Sequence, residues 1–348
     1  MKVAFFGISR DFNSQSGEAL QRYMYELYKN LTRMGVDITK EIPCPSKPFS
    51  KNGLSLLLYK SLTDFSSYDI IHDLDFKPIL PVKKGKAHYI ATIHDLIPIK
   101  HPEYNVDFKS DFKAILWVEV VSKLGLRLQL SRTDALIAIS SLVKQEIIET
   151  GYDRVKVYTV NDGIDSRFLG EVTPHNRKKF VVGYLGTFVT RKNVAFAISA
   201  FKKADNKHFK LELWGKKSYM YPTLAKIASP DHRIRFMGMA PETNLINTYD
   251  SFDAFIFPTL YEGFGLPILE AQARGLPVVV YKYGMIPKEV RKYCFEAESP
   301  EHAAQILEEL RSNGYNERLR KKATEYARSF TWDKCAKETL EVYKRVLK

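Results

Sequence analysis

From Val3 to about residue 281, short apolar runs alternate with longer stretches whose apolar residues recur at helical spacing. This alternation leaves few folds open. Parallel strands cannot be joined by a tight hairpin, so each needs a crossover helix, and the product is a parallel sheet covered on both faces. Val3–Gly7 reads as a strand, Gly17–Met34 as a helix (Leu20, Tyr23, Met24, Leu27, Leu31 and Met34 share a face), and Val36–Ile42, Asp69–His72 and Ala87–Ile93 as strands. Residues 107–130 read as a long helix, Ala135–Ser140 as a strand, Ser141–Thr150 as a helix stopped at Gly151, and Val155–Val160 as a strand. Residues 166–179, polar with a Pro, a Gly and a charge cluster, break the rhythm. A second series then begins. It has strands at Phe180–Leu185, His208–Trp214, Arg233–Met237, Ala254–Pro258 and Pro277–Tyr281, with helices from about Lys192, near Thr243–Asp250 and at Pro267–Ala273. Helices at 300–313, 315–329 and Trp332–Leu347 close the chain, with no strand expected after residue 295. The expected organisation is a doubly built α/β protein: domain 1–165, linker 166–179, domain 180–330 and a final helix in 331–348.

Composition excludes several classes. With 45% hydrophobic and 27% charged residues among 348, the chain has an ordinary globular balance and is not a disordered one. Three widely spaced cysteines, in no CxxC pair, argue against a disulfide framework or a zinc site and for a reducing compartment. The N-terminal run stops at Gly7 and lacks the length and cleavage site of a signal peptide, and no apolar stretch approaches 18 residues. A cytoplasmic location is expected. The net charge of +13 is uneven: residues 1–165 carry 22 Lys and Arg against 20 Asp and Glu, and residues 166–348 carry 31 against 20. A basic second half suits a phosphate-bearing ligand or an anionic surface; it also suits a solvated lysine-rich face.

The most informative segment is Phe257–Val280, FPTLYEGFGLPILEAQARGLPVVV. A strand ends at Pro258, a turn runs through Glu262, Gly263, Phe264, Gly265 and Leu266, and Pro267 falls where a helix begins. Glycines let backbone approach a ligand closely, and free N–H groups at a helix start favour an anion. Glu270 stands eight positions after Glu262, and a carboxylate there can accept two hydrogen bonds from a sugar diol. A second site is implied by GYLGTFVTRKN, where a strand ends at Gly186 and Arg191 and Lys192 stand at a helix start. Two cations with free N–H groups can hold a diphosphate.

These strings resemble the retaining nucleotide-sugar glycosyltransferases of glycosyltransferase family 4, whose signature is two glutamates separated by seven residues within EGFGLPxxEAxAxGxPVV. The resemblance implies the GT-B fold, two Rossmann-like β/α/β domains facing each other across a cleft, with acceptor bound by the first and donor by the second. It implies transfer of a hexose, mannose or glucose, from a nucleotide diphosphate sugar to an acceptor hydroxyl with retention. By the resemblance Glu270 holds the ribose and Glu262 lies against the donor sugar. The backbone of Gly263, Phe264, Gly265 and Leu266 contacts sugar and phosphate, and Gly186, Arg191 and Lys192 serve the diphosphate. Loss of Glu270 is then expected to weaken nucleotide binding, and loss of Glu262 to leave it unchanged while costing turnover. Many members have Arg directly after the glycine; Thr187 stands there instead, as in a mannosyltransferase-like subgroup with GTLxxRKN. In the first half His94, in TIHDL, matches a family histidine near the transferred sugar, and Gly17 matches the glycine loop near donor phosphate and acceptor. His94 is therefore grouped with Glu262, Arg191 and Lys192 as catalytic. The family topology also sends the last helix back to the first domain.

Other strings carry less. Asn161–Asp165, NDGID, resembles the family's NGxD turn and reads as structural. Asp73-Leu74-Asp75 is a DxD string of the kind that binds a metal in another glycosyltransferase fold, but it follows a strand of the metal-free kind, so no metal and no cofactor is expected. The nucleotide sugar is the co-substrate, its base (GDP, UDP or ADP) left open. Residues 107–130 mix Lys and Arg with Leu, Val and Trp117 and suit either a buried helix or peripheral contact with the inner membrane face. The acceptor is a glycan, a lipid-linked glycan or a small molecule; no nucleic-acid module stands out. A nucleotide-sugar epimerase, a sugar phosphorylase or a non-catalytic glycan binder on the same fold are the alternatives.

Overall fold

The structure, a computed structural model, describes residues 1–6, 19–39, 65–74, 84–104, 130–172, 179–204 and 207–348. Gly17, Asp75 and the stretch 107–129 lie outside these. The chain divides into two compact units, one of Met1–Gly163 with Trp332–Lys348 and the other of Ile164–Thr331.

The first unit carries a parallel sheet in the order β2-β1-β3-β4-β5-β6, with β1 Lys2–Phe6, β2 Asp37–Thr39, β3 Ile70–Asp73, β4 His88–Ile93, β5 Ala135–Ala138 and β6 Val157–Thr159. Its central strands are buried almost throughout, as a sheet covered on both faces requires; β5 is wholly apolar, while β3 ends in the buried His72 and Asp73. Helix α1, Ala19–Arg33, turns Tyr23, Met24, Leu27 and Leu31 into the core. Helices α2 (Ile97–Lys100) and α3 (Ser141–Glu149) follow; Ser140 caps α3 by accepting the Val143 N–H at 3.2 Å.

The second unit carries a parallel sheet in the order β12-β11-β10-β7-β8-β9. Its strands are β7 Phe180–Leu185, β8 Phe209–Trp214, β9 Ile234–Gly238, β10 Ala254–Phe257, β11 Val278–Tyr281 and β12 Phe295–Ala297. Counted from β7, this is the 3-2-1-4-5-6 order of dinucleotide-binding sheets, with its switch point between β7 and β10. The helices are α4 Val194–Lys203, α5 Tyr221–Ala228, α6 Leu245–Asp250, α7 Leu266–Ala273, α8 Lys288–Arg291, α9 Pro300–Asn313 and α10 Glu317–Arg328. The last helix, α11 Trp332–Val346, belongs to the first unit, where Trp332, Cys335, Ala336, Val342 and Tyr343 join the core that α1 fills.

Beyond the short helices α2 and α8, three details differ from the sequence reading. Strand β12 was not expected; a three-residue edge strand shows no period long enough to read. Helix α5 was not expected either: it buries only Leu224 and Ala228, too little for a stripe. Residues 166–172, expected in a linker, belong to the second unit. Phe168 is fully buried edge-on to Tyr249, and Arg274 donates to the carbonyls of Gly170 and Glu171 at 2.9 and 2.7 Å.

Candidate active site

The second unit gathers its candidate residues at the carboxyl ends of β7 and β10, the switch point at which such sheets bind ligands. β7 ends at Leu185, and the backbones are tightly apposed there: a Cβ on Gly215 would lie 1.9 Å from the Gly186 carbonyl oxygen, so position 215 tolerates no side chain. The chain then makes a 3₁₀ turn, Thr190–Lys192, before α4. Asn193 joins the two in the left-handed region at φ 50°, a conformation that asparagine tolerates better than most residues. The Thr190 N–H donates to the Tyr219 hydroxyl at 2.9 Å, which holds the turn from the other side.

The loop after β10 is sewn to this turn and to the loop after β11. The Leu260 N–H donates to the Arg191 carbonyl at 2.8 Å, the Met285 N–H to the Leu260 carbonyl at 2.8 Å, and the Glu262 N–H to the Met285 carbonyl at 2.9 Å. Glu262, a residue only 7% exposed, is thereby fixed with its carboxylate among donors. Its Oε1 accepts from Lys192 Nζ at 2.6 Å, Thr259 Oγ1 at 2.7 Å and Arg191 Nη1 at 3.1 Å. Arg191 Nη1 also donates to the Tyr261 carbonyl at 2.7 Å, and the Lys192 ammonium lies 4.7 Å from the centre of the Phe257 ring. Burial works to raise the Glu262 carboxyl, but the Lys192 and Arg191 charges outweigh it and hold it below the usual carboxylate range. Burial pulls Lys192 down to about 8, against the attraction of Glu262.

Gly265, at φ +110°, turns the loop into α7, with Pro267 in the first turn of the helix. The Phe264 side chain packs on Phe330 at 5.9 Å and Leu266 is 8% exposed, so what this segment offers a ligand is backbone. Glu270 follows on α7, 4% exposed, with its Oε2 accepting the Tyr249 hydroxyl at 2.8 Å. Gly186, Arg191, Lys192, Glu262, Gly263, Phe264, Gly265, Leu266 and Glu270 thus lie in one unit, and direct bonds tie the cations to Glu262. Thr259, Tyr219 and Tyr249 were not singled out from sequence; no motif marks a lone Thr or Tyr.

His94 stands in the first unit, just past the carboxyl end of β4. Its Nε2 donates to the Leu74 carbonyl at 2.9 Å, and its ring meets Tyr23 edge-on at 4.7 Å. Asp73 of the DxD string is fully buried, its Oδ2 accepting the Tyr89 hydroxyl at 2.6 Å. It therefore faces into the fold. Among the described residues, no three His, Cys, Asp or Glu side chains group as metal ligands. No helix among the described residues is long and apolar enough to cross a membrane.

Comparison with known proteins adds a family. The pattern described as "Glycosyl transferases group 1" matches residues 165–330, and that described as "Glycosyltransferase Family 4" matches 38–168. The chain is similar to the O-antigen chain mannosyltransferase B of Escherichia coli, at 26% identity over 303 residues, covering 82% of this chain and 76% of that one. Among solved structures it resembles sucrose-phosphate synthase from Thermosynechococcus elongatus (TM-score 0.73, 17% identity, 99% and 98% of the two chains). It also resembles Anabaena Alr3699/HepE in complex with UDP (TM-score 0.69, 17% identity, 99% and 100%). At such identities these likenesses speak for the fold: two Rossmann-like domains of the GT-B kind.

Proposed function

Since the chain belongs to the family-4 glycosyltransferases, we propose that it is a retaining hexosyltransferase, moving mannose from a nucleotide diphosphate sugar to a glycan hydroxyl without a metal. One observation carries this reading: two cations and a glutamate are locked together at the switch point of the second sheet, beside a backbone turn opening α7. The cations and helix start suit a diphosphate, and charge that builds on the leaving group is what such preorganised donors stabilise best. The similarity to a mannosyltransferase favours mannose, and the UDP in complex with HepE favours a nucleotide diphosphate as the leaving group.

In the reaction the bond from the anomeric carbon to the diphosphate oxygen breaks, and the acceptor oxygen bonds to that carbon on the same face. The acceptor proton passes to the departing phosphate. Arg191 and Lys192 take the phosphate charge. Glu270 holds the ribose, Glu262 the sugar hydroxyls, and His94 acts on the transferred sugar. The supply of positive charge from side chains and backbone supports the metal-free form.

A thermal-shift panel of nucleotide sugars tests it, because a ligand that binds the native state raises the unfolding temperature by mass action. A mannose-bearing donor is expected to give the largest shift and, with acceptor, a product of unchanged anomeric configuration by NMR. An inverted product defeats the retaining reading, and an altered donor returned without transfer reveals an epimerase.

A further inference from the structure

We propose that Tyr23 and Thr92, with His72 and Tyr343 behind them, are positioning residues for His94, holding its imidazole for sugar transfer in the one orientation in which Nε2 donates to the Leu74 carbonyl. The inference rests on the reading above that His94 acts on the transferred sugar.

Four side chains from α1, β3, β4 and α11 form one continuous polar chain inside the first unit. The Tyr343 hydroxyl is 2.6 Å from His72 Nδ1, His72 Nε2 is 2.8 Å from Thr92 Oγ1, and Thr92 Oγ1 is 2.9 Å from the Tyr23 hydroxyl. Tyr23 is 1% exposed and the other three are fully buried. Burial, with the nearby His94, pushes His72 down to about 3, so the chain stays uncharged at neutral pH. A core needs no such chain for packing. Polar groups sealed in an apolar interior are worth keeping satisfied because together they specify one arrangement.

That arrangement ends at His94. Thr92 lies in β4, and His94 follows it by two residues, just past the end of the strand. The Tyr23 ring, anchored at its hydroxyl by Thr92, meets the His94 ring at an interplanar angle of 84°. The Leu74 carbonyl can only accept, so the His94 Nε2 that bonds it carries the hydrogen, and in the neutral ring Nδ1 carries the lone pair. His94 is thus held at one nitrogen by a carbonyl and along one ring edge by a tyrosine that is itself pinned. A catalytic group displaced by about 1 Å can lose rate on the order of a hundredfold, so residues that never touch substrate can act through such a wall.

The test uses the whole chain with isotope-labelled histidine. NMR of the wild type is expected to show His94 as the Nε2–H tautomer alone, and Tyr23→Phe, which keeps the ring and removes its anchor, to show a mixture. Hydrolysis of the best donor from the thermal-shift panel is expected to lose about tenfold in kcat in Tyr23→Phe and Thr92→Val, with KM changed less than about twofold. Thr92→Ser, which restores the hydroxyl, is expected to recover the rate. Tyr343→Phe, at the far end of the chain, is expected to shift both readouts in the same direction. If Tyr23→Phe and Thr92→Val leave tautomer and kcat as in the wild type while His94→Asn abolishes turnover, the positioning role is wrong and the role of His94 stands. If His94→Asn turns over normally, the role of His94 fails and this inference goes with it.

Discussion

Glu262 Oε1 lies 2.6 Å from Lys192 Nζ, and the pair is buried on both sides, 9% and 12% exposed in its side chains. Arg191 reaches the same oxygen at 3.1 Å. The carboxylate therefore offsets part of the positive charge that a diphosphate would use, and an arriving diphosphate competes with Glu262 for Lys192. The sequence alone suggested that Glu262 would be indifferent to the bare nucleotide; the ion pair changes that expectation. Glu262→Gln keeps the shape and an oxygen for Thr259 but removes the competing charge. A hydrogen bond to a charged group is worth roughly 1.5–3 kcal/mol, part of which the phosphate recovers. The nucleotide diphosphate is expected to bind about tenfold tighter by calorimetry while turnover falls. Weaker binding would mean that Glu262 does not compete for the cations.

Glu270 carries the opposite expectation. Glu270→Ala removes the acceptor proposed for the ribose diol, and nucleotide diphosphate affinity should drop by about ten- to a hundredfold, roughly 1.5–3 kcal/mol. Tyr249→Phe removes only the hydroxyl that Glu270 Oε2 accepts and should cost less. Titration of the two variants side by side checks the order; a Tyr249 effect as large as that of Glu270 would make the carboxylate structural.

Asp162 gives a pH signature. It is buried, its Oδ1 has no hydrogen-bond partner among the described residues, and burial raises its pKa from 3.8 to about 8. Between those values the folded chain holds a proton that the unfolded chain has released. The slope of stability with pH is then negative: the contribution is fully present below about pH 4 and is lost as pH rises through about 8. Asp162→Asn should raise the unfolding temperature at pH 7.5 more than at pH 5.5. Calorimetric scans at both values decide it, and an equal effect at each would show that Asp162 is ionised in the native state.

Arg274 tests the joint between 166–172 and the second unit. It is 2% exposed, pairs with Asp250 at 2.6 and 2.7 Å, and caps two carbonyls. Arg274→Ala leaves Asp250 without this partner and should cost about 3–5 kcal/mol in urea unfolding. A loss below about 1 kcal/mol would class the pair with exposed ones.

Activity should survive EDTA. Loss that added manganese or magnesium restores would bring the Asp73–Asp75 string back into the chemistry.

The parts that were readable in the sequence are contiguous. Glu262, the glycine turn and Glu270 fall within one strand–turn–helix, so their spacing alone places them, and Arg191 and Lys192 stand out for the same reason. What was not readable is what the sheet order brings together. Lys192 meets Glu262 across 70 residues because β7 lies beside β10. Tyr23, His72, Thr92 and Tyr343 meet only once two strands and two helices are assembled, and only Thr92, which opens TIHDL, sits in a string that the sequence marked. Residues 166–172 misled because their polarity is genuine; Phe168 alone carries the burial that decides their place.

The chain leaves and re-enters the first unit at adjacent points: Ile164 and Thr331 pair in a short parallel bridge, and the Ile164 N–H donates to the Phe330 carbonyl at 2.9 Å. During synthesis this inverts the usual order. Everything in Ile164–Thr331 has been made before the first unit receives Trp332, Cys335 and Tyr343, so the ribosome delivers a finished second unit while the first still lacks part of its core. A premature stop near residue 331 would therefore injure the half of the protein that was translated first.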